Sequence, residues 1–161
     1  MKILCLVGTN PYSFERLVSY VDNTLGPKHD VIIQLGNTSY IPQHSDFFKF
    51  RKRSDILKLI YNSDIVITQG GFGSMKDVLS CNKNLIAVPR SIQLNECQDD
   101  QSELVEYYAS KKYLVACNDV KNIDNMINQF SYNQISLKKY EPESKNKAKD
   151  FVETYLNENL I

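Results

Sequence analysis

The chain has 161 residues, 42% of them hydrophobic and 24% charged, and its 19 basic residues balance 19 acidic residues. This length and composition predict one globular domain, residues 1–161, with a sizeable hydrophobic core. The absence of net charge argues against nucleic acid as a partner, and without a run of about 18 apolar residues no membrane span is expected.

Apolar runs that predict β-strands alternate along the chain with segments of helical periodicity. The predicted strands lie at 3–7, 30–36, 46–50, 64–68, 84–89 and 113–117. Because several of these runs are apolar at consecutive positions, they indicate strands that are buried on both faces of a sheet.

The helical segments lie between and after these runs. Ser13 is the predicted N-cap of the first helix and Ser54 that of the second, while Gly26 and Pro27 end the first. The predicted helices lie at 14–25, 54–60, 73–81, 102–112, 120–130 and, at the C-terminus, within 141–161. This alternation predicts an α/β fold, namely a Rossmann-like, doubly wound, mainly parallel sheet with helices on both faces.

Three polar segments follow predicted strands, at 8–13, 69–74 and 90–101. In open α/β sheets, ligands bind beyond the carboxyl ends of the strands. We therefore expect these three segments to lie close together and to form the functional site.

The glycines of segment 69–74 admit two interpretations. Gly70, Gly71 and Gly73 lie between a predicted strand and a predicted helix, where free N–H groups and a helix N-terminus can hold a diphosphate. The same residues also suit a tight turn that requires glycine, with Ser74 as an ordinary N-cap. Their spacing matches neither the P-loop nor GxGxxG, which argues against an ATPase and a dinucleotide site.

Asp77 lies one helical turn beyond Ser74, on nearly the same face of the predicted helix. A carboxylate there can accept two hydrogen bonds from a ribose diol, or it can act as a capping-box acid. The loop at 90–101 adds acceptors and an amide that suit sugar hydroxyls, although loops of this composition are commonly solvated. These side chains are Glu96, Asp99, Asp100 and Gln101.

The remaining polar features point to no further chemistry. The basic run at 49–53 is typical of a solvated strand exit, with a partner protein or an anionic membrane surface as alternatives. The cysteines form no CxxC pair, which argues against a zinc site and fits reduced thiols in a cytoplasmic protein. His29 and His44 lie outside the three polar segments, so neither a metal site nor a catalytic triad is predicted.

Four ordered blocks resemble a known family: "LVGTNPYSFERLVSYVD", "VIIQLGNTSY", "SDIVITQGGFGSMKDVLSCNKNLIAVPR" and "NECQDDQSELVEYYASKKYLV". They resemble the C-terminal, nucleotide-sugar-binding half of family 28 glycosyltransferases, which have the GT-B fold. The chain is similar above all to free-standing subunits of split enzymes. These are PssE-like subunits of polysaccharide glycosyltransferases and the catalytic subunit of the dolichol-pathway N-acetylglucosaminyltransferase.

The resemblance implies a role for each matching residue. The diphosphate would lie at the glycine loop, the ribose at Asp77, and the uracil near Arg90. The implied donor-binding residues are Gly70, Gly71, Gly73, Ser74, Asp77, Arg90, Glu96, Asp100 and Gln101. Gly8, Thr9 and Asn10 would line the acceptor side of the cleft. No catalytic base is assigned, and Glu96 is a candidate.

Three positions differ from the usual family pattern. Gln69-Gly70-Gly71 stands where the family usually has His-Ala-Gly, Phe72 replaces a small residue, and the acidic loop is one residue shorter. These differences bear on which sugar the site accepts.

The resemblance implies the donor-binding catalytic subunit of a two-component, inverting hexosyltransferase. A UDP-sugar would be its substrate, and no cofactor is expected. A partner subunit would carry the site for a lipid-linked acceptor and the membrane anchor. The chain would therefore meet the cytoplasmic face of a membrane only through this partner. The implied pathway is polysaccharide or glycan biosynthesis. A C-terminal stripe would dock on that partner or pack on its own sheet; it consists of Phe151, Val152, Tyr155 and Leu156.

Two other functional classes fit parts of the sequence. A non-catalytic regulatory or scaffolding subunit would keep the fold to stabilise a partner glycosyltransferase. A flavodoxin-like or receiver-type domain would share the alternating pattern, but the acidic cluster that a receiver carries after its first strand is missing.

Overall fold

Six parallel strands form one sheet in the order β3-β2-β1-β4-β5-β6. The structure, a computed structural model, describes residues 1–142. The strands are β1 (Lys2–Leu6), β2 (Asp30–Gln34), β3 (Asp46–Phe48), β4 (Ile65–Gln69), β5 (Asn84–Val88) and β6 (Val115–Ala116). The predicted parallel, doubly wound sheet is confirmed.

Within the described residues, five α-helices connect or follow these strands. They are α1 (Glu15–Tyr20), α2 (Arg53–Asn62), α3 (Phe72–Ser80), α4 (Ser102–Ser110) and α5 (Ile123–Ser131). A π-helical turn, Val21–Leu25, extends α1, and a 3-10 turn, Val120–Asn122, precedes α5. No helix within residues 1–142 combines the length and the hydrophobicity needed to cross a bilayer.

The central strand β1 divides the hydrophobic core into two layers, because its side chains alternate between the two faces of the sheet. Ile3 and Cys5 pack with α1 and α5 on one face. Leu4 and Leu6 pack with α2, α3 and α4 on the other face. Burying each such aliphatic side chain contributes about 1.5–3 kcal/mol, so a strand that is apolar on both faces can only be stable at the centre of the sheet.

The predicted N-caps are wrong, because no serine caps a helix start at these positions. Helix α1 begins at Glu15, and the N–H of Phe14 before it donates to the hydroxyl of Thr38. Helix α2 begins at Arg53, one residue before Ser54. Extended backbone at the preceding Lys52, not a capping side chain, sets that boundary.

Other boundaries also differ from the prediction. Strand β6 has two residues instead of five, because it is an edge strand that pairs only with Ile86 and Ala87 of β5. Strand β3 ends at Phe48, two residues early. Residues 141 and 142 are irregular, and the rest of the predicted C-terminal helix, with its stripe of four apolar side chains, lies outside the described residues.

Asp22 is a buried carboxylate that ties the π-helical turn to the loop before β3. Its oxygens accept hydrogen bonds from the Tyr40 hydroxyl and from the N–H groups of Gln43 and His44, at 2.8–3.0 Å. Burial alone would raise the pKa of Asp22, but these hydrogen bonds together hold that pKa below its usual value.

We expect Asp22→Asn to lower the free energy of unfolding by about 2 kcal/mol at pH 7, because an amide leaves one buried N–H without an acceptor. The folded pKa is depressed, so the ionised carboxylate stabilises the fold above about pH 4, the unfolded value, and this stabilisation is lost as pH falls through the folded pKa. Urea titrations from pH 7 to pH 2 should show the difference between the two proteins shrinking at low pH. Asp30→Asn, at an exposed carboxylate, serves as the control.

Candidate functional site

The strand order reverses between β1 and β4. Strands β2 and β3 lie on the outer side of β1, whereas strands β5 and β6 lie on the outer side of β4. The loops that leave β1 and β4 therefore diverge and open a crevice at the carboxyl edge of the sheet. A cavity of about 350 Å³ lies there. Its lining residues are Leu6, Gly8, Thr9, Gln34, Arg51, Arg53, Ile56, Gln69, Gly71, Gly73, Ser74 and Asp77.

The glycines of the two loops are needed because the chain segments approach each other closely. Gly8 has a φ of +73°, and a Cβ there would overlap the side-chain amide of Gln69. Gly70 is packed under Gln101, and a Cβ would lie 2.8 Å from the Cβ of Gln101. Gly73, by contrast, has no described atom within 4 Å of an added Cβ. Sterics thus explain Gly8 and Gly70 but leave Gly73 open to the cavity.

Ser74 and Asp77 both line the cavity from helix α3. The helix begins at Phe72 with Gly71 at the cap position and no capping side chain, so Ser74 is the third residue of the helix and the interpretation of Ser74 as N-cap is wrong. Asp77 lies a further turn along, too far from the helix start to be a capping-box acid. Both side chains therefore present polar atoms to the cavity instead of satisfying their own helix.

Asp77 is held by an arginine that the sequence did not single out. The guanidinium of Arg53 donates to both carboxylate oxygens, at 2.6 and 3.3 Å. This hydrogen bond raises the pKa of Arg53. Arg51 lines the same cavity, so the basic run at 49–53 supplies two cations to its wall and is not simply a solvated strand exit.

Arg90 joins the three polar segments from inside the protein. Only 2% of this residue is exposed, and its guanidinium donates to the carbonyl oxygens of Val7, Tyr12, Ser13 and Glu96. It also donates to Oε1 of Gln69 at 2.5 Å. Burial lowers the pKa of Arg90 to about 10, which still leaves it charged at neutral pH. The expected proximity of the three segments is thus confirmed, and this one side chain contacts all of them.

Glu96 is also engaged within the protein. Its carboxylate accepts from Nε and Nη2 of Arg16, at 3.0 and 2.9 Å, and from the N–H of Ser91 at 2.9 Å. The structure therefore gives Arg90 and Glu96 positioning roles. Their roles as direct ligands of a donor, and the role of Glu96 as a base, stay predictions. This geometry does not support those roles.

The other residues predicted at the sugar lie apart from the cavity at the switch point. Asp100 lines a second cavity of about 360 Å³ beyond β5, together with Arg16 and Ser91 to Leu94. The hydrogen bonds from Ser102 lower the pKa of Asp100. Gln101 accepts from the N–H of Arg90 and lines neither cavity.

On the acceptor side, Gly8 and Thr9 line the first cavity, whereas Asn10 accepts from the N–H of Tyr12 within its own loop. Gln34 and Gln69 line the cavity but were not predicted. Within residues 1–142, no group of three or more histidine, cysteine, aspartate or glutamate side chains is arranged to hold a metal ion.

We expect Gly8→Ala to lower the free energy of unfolding by about 2 kcal/mol. The side chain would be forced into the left-handed region and against the amide of Gln69. Gly73→Ala is the matched control, since it lies in a helix with open space around it and should be neutral or slightly stabilising. Urea denaturation of the two variants measures the difference, and equal stabilities would contradict the packing around Gly8.

Many solved structures share this fold, and three of them, at 14–15% sequence identity, illustrate the likeness. The glycosyltransferase SnogD from Streptomyces nogalater aligns with a TM-score of 0.52 at 15% identity, over 74% of this chain and 31% of its own. MurG from Acinetobacter baumannii aligns with a TM-score of 0.54 at 14% identity, over 83% and 42%. The UDP-GlcNAc 2-epimerase from Neisseria meningitidis aligns with a TM-score of 0.56 at 14% identity, over 97% and 44%. The chain thus spans less than half the length of each.

The fold and the crevice at the switch point define a Rossmann-like half-domain of the GT-B type. Residues 2–155 match the family described as the glycosyltransferase family 28 C-terminal domain. The chain belongs to this family, and the resemblance found in the sequence is confirmed. No curated protein sequence gives a significant match, so the closer likeness to subunits of split enzymes stays a prediction.

Proposed function

We propose that this chain is the donor-binding subunit of a UDP-sugar-dependent glycosyltransferase. The observation that carries the proposal is the cavity at the switch point, where the glycine loop, Ser74 and Asp77 line one wall. A diphosphate would lie at the start of α3, because free N–H groups and the helix dipole favour negative charge there. The ribose would lie one turn along, where Asp77 can accept hydrogen bonds from its hydroxyls.

This arrangement favours the departure of UDP. In the reaction, the acceptor oxygen bonds to the anomeric carbon, the bond from that carbon to the β-phosphate oxygen breaks, and its electron pair leaves with UDP. Preorganised N–H donors at the glycine loop and the guanidinium groups of Arg51 and Arg53 would stabilise that growing charge. Attack from the face opposite the diphosphate would invert the anomeric centre, as the family resemblance implies.

The proton of the acceptor hydroxyl needs a base that the described residues, 1–142, do not offer in the cavity. Asp77 is the one carboxylate among the lining residues, and it is held by Arg53. Glu96 is held by Arg16 and Ser91. We therefore assign the base, the acceptor site and the membrane anchor to a partner subunit that closes the other side of the cleft. The lipid-linked acceptor and the location at a cytoplasmic membrane face belong to this same proposal.

Titration calorimetry of the full chain with UDP, ADP and GDP tests the proposal. We expect UDP to bind at least about tenfold more tightly than the other two nucleotides. Transfer of sugar from UDP-GlcNAc and UDP-glucose, assayed with the co-purified partner, then tests the reaction itself. A chain that binds no uridine nucleotide, alone or with its partner, would exclude the donor-binding role.

A non-catalytic scaffolding subunit is the second candidate function. The observation that favours it is the ion pair between Asp77 and Arg53, which occupies the carboxylate that a ribose would need. The pair is exposed on its arginine side, and exposed pairs contribute little to stability, so a ligand can displace it at small cost. If removal of this chain destabilised the partner, and the partner alone still kept every UDP-binding site of the complex, the chain would be a scaffold.

A further inference from the structure

The side-chain amides of Gln34 and Gln69 have orientations that their hydrogen-bond partners fix. Gln69 ends β4, and its Oε1 accepts from Nε of Arg90. Gln34 ends β2, and its Oε1 accepts from the N–H of Gly8 at 3.1 Å. A guanidinium and a backbone N–H can only donate, so the oxygen of each amide must face its partner and the NH2 group must face away.

Both NH2 groups belong to the cavity at the switch point. Gln34 and Gln69 are each 7% exposed, and both line that cavity. The Nε2 atom of Gln69 lies between the loops that follow β1 and β4. A Cβ added at Gly71 would lie 3.1 Å from this nitrogen, and a Cβ added at Gly8 would overlap it. Among residues 1–142, neither amide nitrogen donates a hydrogen bond, and neither is sealed inside the protein, since the fully buried side-chain polar atoms without a partner are the hydroxyls of Ser45 and Thr68. Both NH2 groups are therefore accessible to a ligand that enters the cavity.

The rest of the lining also consists mainly of donors. Ser74 contributes a hydroxyl and the start of α3, while Arg51 and Arg53 contribute guanidinium groups. Asp77 is the one acid among the lining residues, and Arg53 already compensates its charge. A ligand for this cavity must therefore carry several acceptor oxygens and negative charge, which describes a phosphoanion.

We propose that Gln34 and Gln69 are phosphate-binding residues that donate their NH2 groups to non-bridging oxygens of the ligand's diphosphate. The inference rests on the proposed function, since it names two further residues of that site. It also gives Gln69, which stands where the family usually has histidine, a function of its own. Arg90 acts through Gln69 as a positioning residue, because it fixes which amide atom faces the ligand.

Gln69→Glu tests the role of the donor with little disturbance of the fold. A glutamate still accepts from Arg90, but it places an oxygen where the NH2 group was. Gln34→Glu does the same opposite Gly8, and it keeps the test decisive if the first variant fails to fold. Ser54→Glu is the matched control, since it adds one negative charge to the neighbouring first turn of α2 without lining the cavity. Circular dichroism melting checks the fold of each protein.

The probes are inorganic pyrophosphate and UDP, titrated into the full chain by calorimetry. We expect both glutamate variants to bind each probe at least about tenfold more weakly than the wild type, and Ser54→Glu to stay within about threefold. Wild-type affinity for pyrophosphate in folded Gln69→Glu and Gln34→Glu, or an equal loss in Ser54→Glu, would overturn the inference.

The same titration separates this inference from the proposed function. UDP binding that survives both substitutions would leave the proposed function in place and overturn the inference. The wild type could also bind pyrophosphate but not UDP. If the two substitutions weakened that pyrophosphate binding, the inference would be supported, and the proposal that the ligand is a uridine nucleotide would be overturned. A wild-type chain that binds neither probe, alone or with its partner, would overturn both.

Discussion

Asp77→Ala is expected to weaken UDP binding by about 100-fold. A carboxylate that accepts hydrogen bonds from both ribose hydroxyls contributes about 1.5–3 kcal/mol, because bonds to charged acceptors are stronger than neutral ones. The alanine variant also leaves Arg53 without its partner, but that arginine is exposed and keeps its hydration. Titration calorimetry with UDP and with 2'-deoxy-UDP measures the effect.

The deoxynucleotide makes this test specific to the ribose. The wild type should prefer UDP to 2'-deoxy-UDP, and Asp77→Ala should bind both with the same low affinity. Asp124→Ala is the control, since it removes a carboxylate paired with Lys28 that does not line the cavity. A variant that keeps the preference for UDP would place the ribose elsewhere.

Arg90→Lys is expected to lower the free energy of unfolding by about 3–5 kcal/mol. Lysine has three donors on one nitrogen, whereas the planar guanidinium reaches four carbonyl oxygens and the amide of Gln69 from different directions. Several buried acceptors would lose their donor, and a buried charge would lose most of its partners. Urea denaturation at pH 7 measures the loss.

Arg51→Lys provides the comparison for this substitution. Arg51 is exposed, and its guanidinium packs on the ring of Phe48 at 4.5 Å, so its replacement should change stability by less than about 0.5 kcal/mol. If Arg90→Lys lost no more than this, the three loops would be held together by contacts other than the arginine.

The alternation of strands and helices along the chain and the two-sided core were predictable because they depend on local patterns, whereas the order β3-β2-β1-β4-β5-β6 depends on long-range packing. Runs such as "ILCLV" and "DIVIT" are apolar at consecutive positions, and only a strand covered on both faces can bury them. Helix starts were less predictable. Ser13, Ser54 and Ser74 have the right residue type for caps, yet extended backbone at the preceding residues sets the boundaries of α2 and α3.

The candidate site was predictable in part for the same reason. Gly71, Gly73, Ser74 and Asp77 are close in sequence, so a helix start already places them together. The arginines of the cavity come from a segment after β3, and only the packing of the whole sheet brings that segment opposite α3. Sequence composition also could not distinguish a charge that faces the cavity from one that ties loops together, which is the difference between Asp77 and Arg90.

The position of β1 has a consequence for how the protein is made. This strand is the first of the six strands to be synthesised, yet it lies at the centre of the sheet and pairs with both β2 and β4. One of its edges stays open until Gln69 has emerged, roughly 2–7 seconds after β2 at about 5–20 residues per second. An open apolar edge of this kind is a template for pairing with other chains. Nascent or truncated chains that stop between β2 and β4 are therefore the forms most prone to aggregate.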